Sequence, residues 1–137
     1  MPEDLSRCLV LNTVATARTL LRRGDARFQS FGVTVQQFSL LAAIRFYPGE
    51  PVAALAPRIY LDRTSLTRNL DLLERKGLVR RLSGASGNVR LCELTTEGNA
   101  LLDQLLPEWQ RAGAELLKGV SCEEIEAFLK VARHLSR

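Results

Sequence analysis

The 137-residue chain contains one histidine, one tryptophan, one methionine and three cysteines, and each shortage closes off a class of chemistry. A lone histidine, His134, leaves no histidine cluster for a metal and none for paired acid–base work. The cysteines Cys8, Cys92 and Cys122 are odd in number and widely spaced, with no Cys-x-x-Cys. Neither a disulfide scaffold nor a zinc module is expected, and no metal site is assigned. No apolar run approaches the roughly 18 to 20 residues needed to span a bilayer, and the start of the chain lacks a basic stretch followed by an apolar signal segment. The expectation is a cytoplasmic protein with no membrane partner. Glycine-rich phosphate loops are missing too, since Gly84 and Gly87 are not followed by the lysine and helix of a P-loop. Carboxylates late in the chain scatter without an acid–base pairing. No cofactor is implied, and an enzyme is not expected.

What is present is an ordinary globular composition, 46% apolar and 25% charged, enough to bury a core and far from that of a disordered chain. The net charge of +4 is modest, but it is unevenly placed. Between Arg58 and Arg90 there are eight basic residues against three acidic ones, whereas Leu91 to Lys130 carries three basic against eight acidic. One stretch is polarised toward a polyanion and the next is not.

The order of elements sharpens this. Leu5, Leu9, Thr13, Leu20 and Leu21 recur at helical spacing and predict a first helix from about Asp4 to Arg23. After Gly32, Thr34 with Gln37 reads as a capping box opening a second helix that runs through Phe38, Leu41, Ala42 and Arg45, stopped at Pro48 and Gly49. A short third helix covers Val52 to Ile59, with Pro57 inside it to shorten or kink it. Asp62 is an N-cap candidate for a fourth, with Leu66, Leu70 and Leu73 on one face and Gly77 at its end. Two short strand-like runs follow, Leu78 to Leu82 and Val89 to Leu94, joined by hairpin-loop residues from Ser83 to Asn88. A long helix beginning at Thr96 carries Leu101, Leu105, Trp109 and Leu116, and a last one opens at Ser121 with Glu124 completing a second capping box.

Three short helices followed by a glycine-tipped hairpin is the order of a winged helix-turn-helix, and the fourth helix carries residue types suited to DNA. Its expected exposed positions are Arg63, Thr64, Ser65, Thr67, Arg68 and Asn69. Arginine meets guanine bidentately, asparagine meets adenine in the same way, and threonine methyls pack on thymine. Short hydroxyl and amide side chains are mediocre helix formers, so a helix face filled with them needs another reason. Arg81 and Arg90, one on each strand of the hairpin, complete the expected DNA-binding set. The fold class expected is mainly α with a small β wing: a winged helix-turn-helix lobe over about 34–95, with terminal helices over about 1–30 and 98–137, all within one domain.

Residues Gln37 to Gly98 resemble the MarR family of bacterial transcription regulators. The likeness rests on Val35-Gln36-Gln37-Phe38-Ser39-Leu40-Leu41, Leu61-Asp62-Arg63-Thr64-Ser65-Leu66-Thr67-Arg68, Leu72-Leu73-Glu74-Arg75-Lys76-Gly77-Leu78-Val79 and Leu94-Thr95-Thr96-Glu97-Gly98. It implies a wing arginine that enters the minor groove, matched by Arg90, although the acid that usually precedes it is replaced here by Asn88. It also implies a homodimer in which the first and the last two helices of each subunit intertwine. The sequence gives its own reason for a partner subunit, because stripes as broad as Leu101 to Leu117 exceed what one winged lobe can cover. Two recognition helices one DNA turn apart would read a pseudo-palindromic operator in double-stranded DNA. The function expected is therefore a sequence-specific regulator, a repressor of nearby genes released by a small phenolic-type ligand. Two alternatives stay open. One is a thiol-based oxidant sensor using Cys8, with Tyr60 also resembling the helix-turn-helix corner of members that sense organic hydroperoxides. The other is a non-specific, architectural DNA-binding protein.

Overall fold

A computed structural model describes residues 3–84 and 89–137. Residues 85–88, the tip of the expected hairpin loop, lie outside the described residues. The chain divides into two compact units, Met1–Leu106 and Pro107–Arg137.

In the first unit the expected opening helix is two helices, α1 (Glu3–Ser6) and α2 (Leu9–Phe28). The break corrects the continuous reading from Asp4. Cys8 is extended, with ψ 119°, and forms the N-cap of α2, while the Asn12 amide reaches back to donate to the carbonyls of Ser6 and Cys8. Helix α3 (Val35–Phe46) opens with the expected capping box: the Thr34 hydroxyl accepts from Gln37 N–H, and the Gln37 side chain accepts from Thr34 N–H. A second acceptor comes from α2, where Asp25 takes the Val35 N–H at 2.8 Å. Both satisfy donors that no helical carbonyl can reach.

Helix α4 (Val52–Arg58) is short, as Pro57 requires, and leads to α5 (Arg63–Arg75) through Tyr60, which adopts the left-handed region with φ 57°. Leu66, Leu70 and Leu73 bury one stripe of α5 among Phe38, Leu41, Ile44, Leu55 and Val79. Its end is a paired closure on left-handed Gly77 (φ 73°): Gly77 N–H donates to Glu74 O and Leu78 N–H to Leu73 O. The wing follows at once as β1 (Val79–Ser83) and β2 (Arg90–Leu94), antiparallel, with Val79 opposite Leu94 and Arg81 opposite Cys92.

Helix α6 (Thr96–Leu116) starts where the wing ends. Thr95 ties the two together, donating its hydroxyl hydrogen to Gly77 O and accepting from Gly98 N–H. Arg45 at the end of α3 forks onto the Asn99 side chain and carbonyl and onto Asp103, the last at 2.7 Å. The second unit holds the end of α6, in which Pro107 stands, and α7 (Cys122–Leu135). Helix α7 opens with the expected Ser121–Glu124 capping box.

Gly98 is the position where the backbone geometry leaves no choice of residue. A Cβ there would sit 2.0 Å from the Leu78 carbonyl oxygen, a backbone atom that cannot step aside without moving the start of the wing. Gly98→Ala should therefore destabilise the winged lobe by about 2 to 3 kcal/mol, the cost of forced overpacking. Thermal unfolding measures it, and an unchanged melting temperature would mean that α6 does not approach β1 this closely.

Candidate nucleic-acid interface

Helix α5 has two faces whose separation follows from its 3.6-residue period. With Leu66, Asn69, Leu70 and Leu73 buried, the opposite face presents Thr64, Thr67 and Arg68, and Arg63 is exposed beside them as the first residue of the helix. Together with Asp71, Leu72 and Arg75 these line one shallow, open depression. The N-terminus of the helix is fixed by Asp62, whose carboxylate accepts from Ser65 N–H at 2.7 Å and from the Ser65 hydroxyl at 2.9 Å. Those two hydrogen bonds hold the Asp62 carboxyl below its ordinary value of 3.8. Ser65 is consequently half-buried and committed to the cap.

Asn69 is the clear departure from the sequence reading. It was expected on the exposed face, but it is 5% exposed. Its amide donates to Ser65 O at 2.9 Å and lies 3.5 Å from both Gln36 Oε1 and Gln37 Nε2. A buried amide costs free energy unless its hydrogen-bonding groups are met, and here it is met by α3 and by its own helix. Asn69 joins α5 to α3 and is not available to a base edge.

Arg81 also differs from a free surface cation. It reaches from β1 to α5, where its guanidinium donates to Asp71 and its Nε lies 3.8 Å from Glu74 Oε2. Arg90 is exposed at the start of β2, opposite Ser83 and directly beyond Val89. On the neighbouring helix Arg58 is held by two hydrogen bonds to Glu50, at 2.6 and 2.8 Å, and its guanidinium stacks 3.9 Å from the centre of the Tyr47 ring. The hydrogen bonds between the two lower the Glu50 carboxyl and raise the Arg58 guanidinium. Arg80 pairs with Glu93 at 3.0 Å across the wing.

The basic stretch found by counting is thus sorted by the fold. Arg58, Arg80 and Arg81 are engaged by carboxylates, and Lys76 donates to Gly32 O. Arg63, Arg68, Arg75 and Arg90 have no acidic partner among the described residues. The sequence reading missed Arg75. Its signal was the spacing 64, 68, 71, 75, which repeats every three or four residues and puts it on the outward stripe.

Cys8 is half-buried at the α1–α2 break, not inside a helix. Cys92 packs against the core, and burial pushes its thiol up to about 11, against the opposing pull of Arg81. Among the described residues no group of three or more His, Cys, Asp or Glu side chains could hold a metal ion, and no helix is long and apolar enough to cross a membrane.

The depressed carboxyl of Asp62 fixes the direction of a pH effect. A group whose folded pKa lies below its unfolded value stabilises the fold above that unfolded value, and the benefit is lost as pH falls through the folded one. Thermal unfolding followed from neutral pH downward should therefore lose stability below about pH 4, the range set by the ordinary Asp and Glu values. Asp62→Asn, which keeps the cap but not the charge, should flatten that fall. An identical acid profile for the natural chain and the variant would show that the cap is not formed.

A sequence profile of the MarR family matches residues 33–86. The transcriptional regulator MosR of M. tuberculosis, solved in complex with DNA, is 35% identical over 96% of this chain and 99% of that chain, with a TM-score of 0.78. A second structure of MosR is 32% identical over 95% and 96% of the two chains, with a TM-score of 0.82. A cysteine-to-serine variant of MarR from E. coli, complexed with operator DNA, is 25% identical over 93% and 94%, with a TM-score of 0.81. Proteins of this kind are transcription regulators and not enzymes, and they act on DNA as dimers. The chain is a winged helix-turn-helix protein and belongs to the MarR family of transcription regulators.

Proposed function

We propose that this protein is a sequence-specific repressor of nearby genes that grips a pseudo-palindromic operator with the outward face of α5 and with Arg90 of the wing. The observation that carries the reading is the depression on α5, where three cations without acidic partners among the described residues surround two threonines. Arg63, Thr67 and Arg68 are the base readers, Thr64 and Arg75 hold phosphates, and Ser65 acts through the cap. Asn69 supports the helix from inside. In the sequence reading Arg81 was a DNA contact; its two carboxylate partners argue against that role. The cytoplasm is its proposed site of action, as for a bacterial regulator of the family it belongs to.

The terminal helices are proposed to form the dimer. Helix α2 leaves Leu9, Val10, Leu11 and Val14 between 39% and 66% exposed, and α7 leaves Phe128, Val131 and Leu135 between 49% and 60% exposed. Apolar stripes of this extent on a water-soluble chain are aggregation-prone unless covered, and a second copy supplies the matching surface. A small phenolic-type molecule bound to the dimer is the proposed release signal. The second reading, oxidant sensing through Cys8, draws on that residue's place in a helix break, where oxidation could act on the path of α2. Peroxide that releases DNA from the natural protein but not from Cys8→Ser would select it.

Arg63→Ala, Thr67→Ala and Arg68→Ala should each weaken operator binding by about 1 to 3 kcal/mol with the fold intact. Arg90→Ala should instead reduce the slope of affinity against salt by roughly one ion. Asn69→Ala should act on the melting temperature, since it strands buried partners at a cost of about 1 to 3 kcal/mol. Binding titrations on a duplex enriched from a random pool test the set. Unchanged affinity in all three α5 variants would remove α5 from the interface.

Dimerisation through the terminal helices makes folding and association one event. The melting temperature of the full chain should rise with protein concentration, and a chain ending at Leu117 should aggregate or unfold. A truncated chain that sediments as a well-folded monomer would place the interface elsewhere.

A further inference from the structure

We infer that Arg81 serves DNA binding from behind the interface, by cancelling a negative charge that α5 would otherwise carry in the middle of its DNA-facing surface. The inference rests on the proposed orientation of α5. Asp71 lines the same depression as Arg63, Thr64, Thr67, Arg68 and Arg75, and Glu74 lies three residues further along the helix. A bare carboxylate among phosphates repels them, and like charges brought together across an interface are strongly unfavourable.

Here the carboxylate is not bare. The Arg81 guanidinium donates to Asp71 Oδ1, and its Nε faces Glu74 Oε2 at 3.8 Å. The arginine is carried by β1, opposite Cys92 in the strand register, so the compensating charge comes from an element other than the helix it corrects. Its geometry also argues against a direct phosphate contact. Arg81 Nε is buried and makes no hydrogen bond to a described residue, so the inner edge of the guanidinium is turned into the protein. The side chain as a whole is 34% exposed. Reaching outward would release two carboxylates to deliver one cation, which is a net loss at a polyanion. Held where it is, Arg81 leaves Arg63, Arg68 and Arg75 to act without an opposing charge between them.

Three roles for Arg81 predict three patterns in a double-mutant cycle. As a charge mask, its loss harms binding while the loss of Asp71 does not. As a structural strut, either loss harms binding alike. As a phosphate contact, its loss cannot be repaired at position 71. The experiment measures affinity and its salt slope on a duplex enriched from a random pool by the natural protein, with melting curves for every variant.

Arg81→Ala should weaken binding roughly tenfold, and Arg81→Ala/Asp71→Asn should return within about threefold of the natural affinity and regain its salt slope, because the cycle removes one charge of each sign. Asp71→Asn alone should hold or tighten binding. Equal losses in Arg81→Ala and Asp71→Asn, or a double variant as weak as Arg81→Ala, would overturn the inference. Should Arg81→Ala fail to fold, Asp71→Asn/Glu74→Gln with Arg81 intact decides, since weakened binding there contradicts a mask. Arg63→Ala, Thr67→Ala and Arg68→Ala separate the two levels: no loss in any of the three removes the α5 reading itself, whereas losses there without rescue at position 71 remove only the mask.

Discussion

The rotation of α5 about its own axis is the constraint on which the rest of the site depends. A helix has one rotational setting relative to its neighbours, and that setting decides which side chains can meet a ligand. Leu66, Leu70 and Leu73 fix it through burial, each at 3% exposure or less. Asn69 reinforces it through polar contacts, because its amide reaches the Gln36 and Gln37 side chains only when it faces α3. A rotation of one residue would bury an arginine and strand that amide, two costs that act in the same direction. The outward stripe is therefore a consequence of the core.

The two ends of α5 turn this setting into a position along the axis. At the start, Asp62 holds Ser65, and Tyr60 supplies the left-handed step that brings the chain in from α4. A left-handed tyrosine is uncommon and costs free energy that glycine would not. At the far end, Gly77 closes the helix and Leu78 returns to Leu73 O, so only three residues separate the last helical residue from the wing. The Leu78 carbonyl then accepts from Thr95 N–H and lies against Gly98. One short segment thus ends α5, starts β1 and seats α6, and the wing cannot shift without disturbing the helix that carries the depression.

Much of this was legible in the sequence because it is local chemistry. Thr34 with Gln37 and Ser121 with Glu124 announce capping boxes by residue type and spacing alone, and both are present. Gly77 and Pro57 act through backbone geometry that no neighbour can override. What escaped the sequence depends on partners distant along the chain. Asn69 looks like a surface residue by type, and part of what satisfies it when buried comes from Gln36 and Gln37, more than thirty positions earlier. The break at Cys8 carries no glycine or proline to mark it; it is made by Asn12 reaching back to two carbonyls. Charge counting found the basic stretch between Arg58 and Arg90, but not which of its cations would be turned outward.

That last distinction changes what the net charge means. A polyanion does not respond to the sum of a segment but to the charges that reach it with nothing compensating them nearby. Arg58 is held by Glu50, Arg80 by Glu93 and Arg81 by the acids of α5, so each contributes little beyond its partner. These pairs are partly exposed and contribute little to stability; their effect is to place charge. By holding some arginines close to carboxylates, the fold leaves Arg68 and Arg75 on one helical stripe, Arg63 at the start of that helix and Arg90 at the start of β2 as the arginines among the described residues of this stretch that no acid answers. A modest net charge is thereby presented as a concentrated one, at the site where α5 also carries its threonines.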